Sequence, residues 1–166
     1  MIYTAQYKSP VGKILLAAEN EALVGLWIEG QKYFPDKLPE NAAKDSGHEV
    51  LNEAKIWLDR YFSGDKPSPG DIALSPNGSS FAKAVWQKLC RIPYGETTTY
   101  GKIAAEIAAQ RGIKKMSARA VGGAVGRNPI SIIVPCHRVI GSNGSLTGYA
   151  GGIDKKIALL HHEGAL

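Results

Sequence analysis

The stretch GDKPSPGDIALSPNGSS, residues 64–80, constrains this chain more than any other feature. It holds three prolines, three glycines and four serines in seventeen residues, so no helix or central strand runs through it. With 166 residues in all, the chain is expected to fold as an N-terminal unit over residues 1–75 and a C-terminal unit over 76–166.

Before the break, IYTAQYK, KILLAA and ALVGLWI are short β-rich runs separated by the turn-forming stretches SPVG and ENEA. They predict a three-stranded antiparallel meander. SGHEVLNEAKIWLDRYFSG then predicts a helix. Ser46 and Glu49 have the spacing of a capping box, Val50, Ala54, Trp57, Leu58 and Tyr61 share one face, and Gly64 suits the residue just past the end. His48 reads as an exposed residue near the helix start. No catalytic constellation stands out in this half.

After the break the periodicity is helical. Phe81, Val85 and Leu89 form one stripe, with Cys90 beside them as a small core hydrophobe. Thr99 predicts an N-cap for TTTYGKIAAEIAAQ, and Ser117 one for SARAVGGAVG. RGIKK is the turn between them, which makes a helix-turn-helix candidate. The second helix carries the adjacent glycines Gly122 and Gly123, each costing about 1 kcal/mol against alanine. Tight helix packing accounts for that, or close approach to a nucleic-acid backbone. Its one side chain suited to reading bases is Arg119, which points to docking by shape rather than by sequence. NPISIIVPCHRVI is expected as a loop and a buried strand. IDKKIALLHHEG is expected as a helix with Ile153, Ile157 and Leu160 on its inner face, Glu163 at its end and Gly164 terminating it.

Charge is unevenly placed. Residues 1–75 carry 8 Lys and Arg against 11 Asp and Glu, a net −3, while residues 76–166 carry 12 against 4, a net +8. Arg111, Lys114, Lys115, Arg119, Arg127 and Arg138 lie in a stretch without a single carboxylate. Such a half is suited to a polyanion, although a solvated basic face has the same composition. No apolar run reaches the length of a membrane span, and no signal-peptide pattern opens the sequence, so a cytoplasmic protein with reduced thiols is expected.

Cys136 sits in VPCHRVIG, one of only two cysteines with Cys90. A disulfide framework and a four-cysteine metal site are thereby excluded, and His161 and His162 lack zinc-ligand spacing to Cys136. The Cys136–His137 pair alone fits an inert buried thiol, because neighbours on an extended chain point to opposite faces. A nucleophile would need a base or a positive environment, which the basic surroundings offer. No phosphate-binding glycine loop is present.

IPYGETTTYG, ARAVGGAVGRNP, IIVPCHRVIGSNGSLTGYAGG and LLHHEG occur in one order across residues 79–166. In this the chain resembles the O6-alkylguanine-DNA alkyltransferases, or methylated-DNA–protein-cysteine methyltransferases, most closely the bacterial single-function type. The N-terminal half matches in layout rather than motif.

The resemblance implies an α+β fold. A small ribonuclease-H-like N-terminal domain is followed by a mostly helical winged helix-turn-helix domain. It implies a monomer without cofactor or metal that binds double-stranded DNA containing O6-alkylguanine, with O4-alkylthymine a further candidate substrate. Cys136 would be the alkyl acceptor, used once and irreversibly. His137 would take its proton through a water and Glu163 would orient His137. Asn128 would tie the helix-turn-helix to the active-site loop. Tyr100 would donate to the guanine oxygen. Arg119 would fill the stack left by the flipped base, with Thr99, Ala120, Gly122 and Gly123 at the DNA. Pro135, Val139, Tyr149, Ala150 and Gly151, with Tyr100, would line the base pocket, and Arg138 would support the motif structurally. AQRGIKKM, between the two helices, is longer than in compact members of the family.

Two rivals make different demands. An alkyltransferase-like protein that binds damage without repairing it commonly has tryptophan in place of the cysteine. A winged-helix regulator would carry base-reading side chains that ARAVGGAVG lacks.

Overall fold

The computed structural model describes residues 1–31, 43–44, 47–146, 149 and 152–166, with the backbone alone described at 43–44. β1 (Ile2–Ser9), β2 (Gly12–Glu19) and β3 (Ala22–Ile28) form the expected antiparallel meander, with Ile2 opposite Glu19 and Ile14 opposite Ile28. A short strand the sequence did not announce, β4 (Ala43–Lys44), adds to β1 in parallel, giving the order β3-β2-β1-β4. α1 (Glu49–Phe62) packs on this sheet through Val50, Leu51, Ala54, Trp57, Leu58 and Tyr61, the face its spacing predicted. Its cap differs from expectation. The His48 ring accepts from the Val50 amide, and the ring also lies 4.8 Å from that of Tyr3, so His48 is half-buried. Ser46 lies outside the described residues.

The Pro-rich stretch is fastened down rather than loose. Ser68 and Asp71 close a capping box around a short 3-10 turn at Pro69–Asp71. The chain then runs along β3, where the Leu23 amide donates to the Ala73 carbonyl and the Ser75 amide to that of Leu23. Further along β3, the Leu26 amide donates to the Pro129 carbonyl and the Ser131 amide to that of Leu26. Both contacts cover an edge that would otherwise expose unpaired backbone. They also bring residue 131, five positions before Cys136, onto the sheet. One apolar core runs from Leu16 and Leu58 through Val85 and Ile107 to Val121, Val134 and Leu159.

α2 (Ser80–Leu89), α3 (Tyr100–Arg111), α4 (Ala118–Gly126) and α5 (Ile153–Glu163) make up the second half, with β5 (Thr98–Thr99) and β6 (Val139–Ile140) paired in parallel. Thr99 and Ser117 cap α3 and α4 as expected, accepting from Lys102 and Ala120. The long turn resolves into a tight stop. Gly112 takes a left-handed φ of 66°, and the Ile113 amide closes on the Ala108 carbonyl, a Schellman closure that turns the chain toward Ser117.

Two expectations are corrected. The run from Ile130 to Val134 is not a strand. Past the single bridge of Ile130 to Leu26, its buried backbone is satisfied by turns and by the Asn128 side chain, and the paired strand is Val139–Ile140. The buried face of α5 is Lys156, Leu159, Leu160 and Glu163, while Ile153 is exposed and Ile157 half-buried. Among the described residues, no helix is long and apolar enough to cross a membrane.

Candidate active site around Cys136

The cysteine is presented by two consecutive γ-turns. The Ile133 amide donates to the Ser131 carbonyl around Ile132, a β-branched residue held at a φ of 70°. The Cys136 amide then donates to the Val134 carbonyl around Pro135, whose φ of −81° and ψ of 64° are those of an inverse γ-turn. Asn128 braces this loop from inside. Its Nδ2 donates to the carbonyls of Ile130 and Val134, and its Oδ1 accepts from the Ile130 amide. Backbone strain of this kind persists only where the surroundings over-determine it. Cys136, His137 and Arg138 follow as one turn of 3-10 helix, so the side chains do not alternate as on a strand.

Cys136 is 4% exposed. Burial pushes its thiol up to about 11, opposed by a hydrogen bond with Asn128 and by the charge of Lys156. At neutral pH an unassisted thiol here is protonated. Burial raises the Tyr100 hydroxyl, and a charge on Cys136 raises it further. Tyr149 is buried, its hydroxyl pushed well up by burial with Ser131 and Cys136 as its polar neighbours, and its ring lies edge-on to His137 at 6.5 Å. Pro135 and Val139 are buried against this loop. Ala150 and Gly151 lie outside the described residues.

His137 is completely buried, and burial lowers its pKa against the opposing pull of Glu163. Its Nε2 lies 2.6 Å from Glu163 Oε2, while its Nδ1 is buried with no partner. Glu163 is the hub. Oε2 also receives the Tyr61 hydroxyl at 2.6 Å and Arg138 Nη2 at 3.1 Å, and Oε1 receives Arg138 Nε at 2.8 Å and the Gly95 amide at 3.2 Å. Burial alone would raise this carboxyl, but the hydrogen bonds and charges of His137 and Arg138 hold it well below the usual carboxylate range. An ionised carboxylate only accepts, so the proton of neutral His137 is on Nε2 and Nδ1 keeps its lone pair. Arg138 Nη1 is tied to the Ile92 carbonyl at 2.6 Å.

The structure therefore joins residues far apart in sequence. It couples Cys136 with Asn128, Tyr100 and Tyr149, and it links His137 with Glu163 and Arg138. No direct hydrogen bond joins the sulfur to the His137 ring among the described residues. Sequence reasoning missed Tyr61 and Lys156. Lys156 is fully buried, donates from Nζ to the Val139 carbonyl, and is lowered to about 8 by burial, with Cys136 acting the other way. The available signal was helical spacing, since Lys156 and Glu163 are seven residues apart on α5.

Outside this pocket, α4 buries Val121, Ala124 and Val125 and exposes Arg119, Ala120 and Gly123. A Cβ on Gly123 would meet nothing within 4 Å, and one on Gly122 would meet only the Tyr100 ring at 3.7 Å, an ordinary contact. Packing within the protein thus requires neither glycine. Arg111, Lys114, Lys115 and Arg127 are exposed around this helix, and Thr99 is half-buried at the start of α3.

Comparison with known proteins bears on both halves. Residues 2–76 match the ribonuclease-like domain of 6-O-methylguanine DNA methyltransferase, and residues 80–165 match its DNA-binding domain. The chain is 49% identical to a methylated-DNA–protein-cysteine methyltransferase of Methanosarcina acetivorans, over 99% of both chains. It is 40% identical to one of Haemophilus influenzae, over 98% of this chain and 86% of the relative. The Mycobacterium tuberculosis protein OGT, crystallised in complex with DNA, superposes with a TM-score of 0.84 at 41% identity, covering 98% of this chain and 93% of that one.

Proposed function

This chain belongs to the 6-O-methylguanine DNA methyltransferase family, and from that premise we propose how its own residues carry out alkyl transfer. It is a methylated-DNA–protein-cysteine methyltransferase that binds DNA and repairs it directly by moving an alkyl group onto a cysteine. The acceptor is Cys136, and the substrate is O6-alkylguanine in duplex DNA. The observation that carries the reading is the orphaned Nδ1 of His137, a buried lone pair on the residue next in sequence to a buried thiol, fixed by a carboxylate on the far side of the ring.

The thiol proton passes through a water to Nδ1, and Glu163 stabilises the imidazolium that forms. Lys156 and the Asn128 hydrogen bond favour the thiolate at the same time. Sulfur attacks the alkyl carbon, the carbon–O6 bond breaks, and the departing guanine receives a proton at the base, with Tyr100 donating toward O6. The product is a thioether, whose carbon–sulfur bond does not undergo thiol exchange, so each molecule acts once. Cys90, at the end of α2, is raised by burial and lies outside this relay.

Access to the carbon requires the base to leave the stack. The small exposed face of α4 enters the minor groove, Arg119 takes the place of the extruded base, and Thr99, Ala120, Gly122 and Gly123 approach the backbone. Tyr100, Pro135, Val139 and Tyr149 line the pocket. Residues 1–75 and 76–166 act as two domains sharing one core in a cytoplasmic monomer without cofactor or metal. Cys136 and the identity to methyltransferases favour repair over binding without repair.

The test is stoichiometry. With a duplex in excess over protein, lesion loss is expected to stop at one equivalent per chain. Continued turnover, or no loss at all, would overturn the reading.

A further inference from the structure

Tyr61 comes from the last turn of α1, 102 residues before Glu163, and the mechanism above makes no use of it. Its ring stacks on Trp57 at 5.6 Å and meets Phe62 and Tyr94 edge-on at 5.0 and 5.9 Å. A phenylalanine would make all these contacts, so the hydroxyl is the feature to explain. A buried hydroxyl is costly unless it is hydrogen-bonded. This one donates to Oε2 of Glu163, the same oxygen that holds His137.

We propose that Tyr61 is a positioning residue for alkyl transfer, contributed by the N-terminal half: its hydroxyl pins Glu163 Oε2 against His137 and draws part of the carboxylate charge away from the imidazole. The inference rests on the relay proposed above. Three donors share Oε2, and each one weakens the oxygen's pull on the others. With the Tyr61 hydroxyl present, His137 is easier to keep neutral, the form that can accept the thiol proton. With it removed, Oε2 places more negative charge on His137 and stabilises the imidazolium. Arg138 still holds Glu163 through two nitrogens and keeps it ionised.

The other charged and titratable groups around the relay do not depend on the hydroxyl. Arg138 and Cys136 lie on the 3-10 turn, Lys156 and His162 on α5, and Tyr149 edge-on to the His137 ring. Tyr94 lies under Arg138, with Lys66 over its ring at 5.5 Å, and His162 Nε2 is 2.7 Å from the Tyr61 carbonyl, which Phe retains.

The experiment is the single-turnover rate of transfer from an O6-methylguanine duplex, measured against pH for the full-length protein and Tyr61→Phe. The acid limb reports protonation of His137. Its midpoint is expected to move up by about one pH unit in Tyr61→Phe. The ¹⁵N shifts of the His137 ring should titrate with the same displacement. A purely structural tyrosine would instead lower the active fraction or the melting temperature and leave the midpoint in place, which overturns the proposal. If Tyr61→Phe does not fold, 3-fluorotyrosine at position 61, whose more acidic hydroxyl donates more strongly, should move the midpoint down. An unmoved midpoint there overturns it equally. Wild-type protein that transfers nothing to Cys136 would sink the relay reading, and the His137 titration would still decide whether Tyr61 is coupled to it.

Discussion

Replacing Gly122 and Gly123 by alanine should make this protein more stable and worse at its task. Both residues lie inside α4, where glycine costs about 1 kcal/mol relative to alanine. A methyl on Gly123 enters open space, and one on Gly122 touches the Tyr100 ring at an ordinary 3.7 Å. Nothing in the fold offsets the gain, so the double variant should be stabilised by about 2 kcal/mol. For a chain of this size that raises the melting temperature by roughly 4–8 °C. Fluorescence anisotropy with a labelled duplex should show weaker binding in the same variant, because the methyls hold the helix off the DNA. Calorimetry and anisotropy on one preparation make the comparison. A destabilised variant would show that packing within the protein demands the glycines. A stabilised variant with undiminished DNA affinity would remove α4 from the interface.

Four further outcomes follow from the same geometry. Glu163→Gln should slow transfer at neutral pH, with the defect shrinking as pH rises toward about 11, where the buried thiol ionises without help; a pH-independent loss would reduce Glu163 to a structural anchor. The same change should destabilise the fold by about 3 kcal/mol by breaking a buried pair with Arg138. Because the folded carboxyl is held below its usual range, this contribution is complete above the unfolded pKa and fades as pH falls through the folded one, so the two proteins should converge in stability in strong acid. Affinity for undamaged duplexes should fall steeply with salt, by about 0.9 log units per tenfold salt for each phosphate contact, and vary little with sequence; titrations at several salt concentrations check this. Arg119→Ala should slow repair in duplex DNA while leaving the reaction with free O6-benzylguanine nearly intact, and equal losses on both substrates would contradict a role in base extrusion.

Much of the scaffold was legible because local chemistry determines it. The three strands, the Val50-to-Tyr61 face, the Thr99 and Ser117 caps and the stops at Gly64 and Gly164 each follow from side chains within a few residues. The failures share a cause in long-range contacts. The apolar run at Ile130 resembles a strand, since periodicity cannot tell a buried strand from buried turns whose amides and carbonyls are met by Asn128. The inner face of α5 was misplaced because Lys156 and Glu163 count as polar until their partners, Val139, His137 and Arg138, are known. Tyr61 was read as a core aromatic, which its ring is. Its hydroxyl acquires a partner only when α1 and α5 meet. The cysteine itself needed the surrounding motifs, because a CysHis pair says nothing about where either side chain points.

The central claim is that Cys136 accepts the alkyl group, and peptide mass spectrometry tests it most directly. After incubation with a duplex containing one O6-methylguanine and proteolysis, the peptide carrying Cys136 should gain one methyl group, with fragment ions placing it on the sulfur. The peptide carrying Cys90 should be unchanged, Cys90→Ser should react as wild type does, and Cys136→Ala should leave the lesion in the DNA. A methyl group found on Cys90, or lesion loss that persists in Cys136→Ala, would contradict the account.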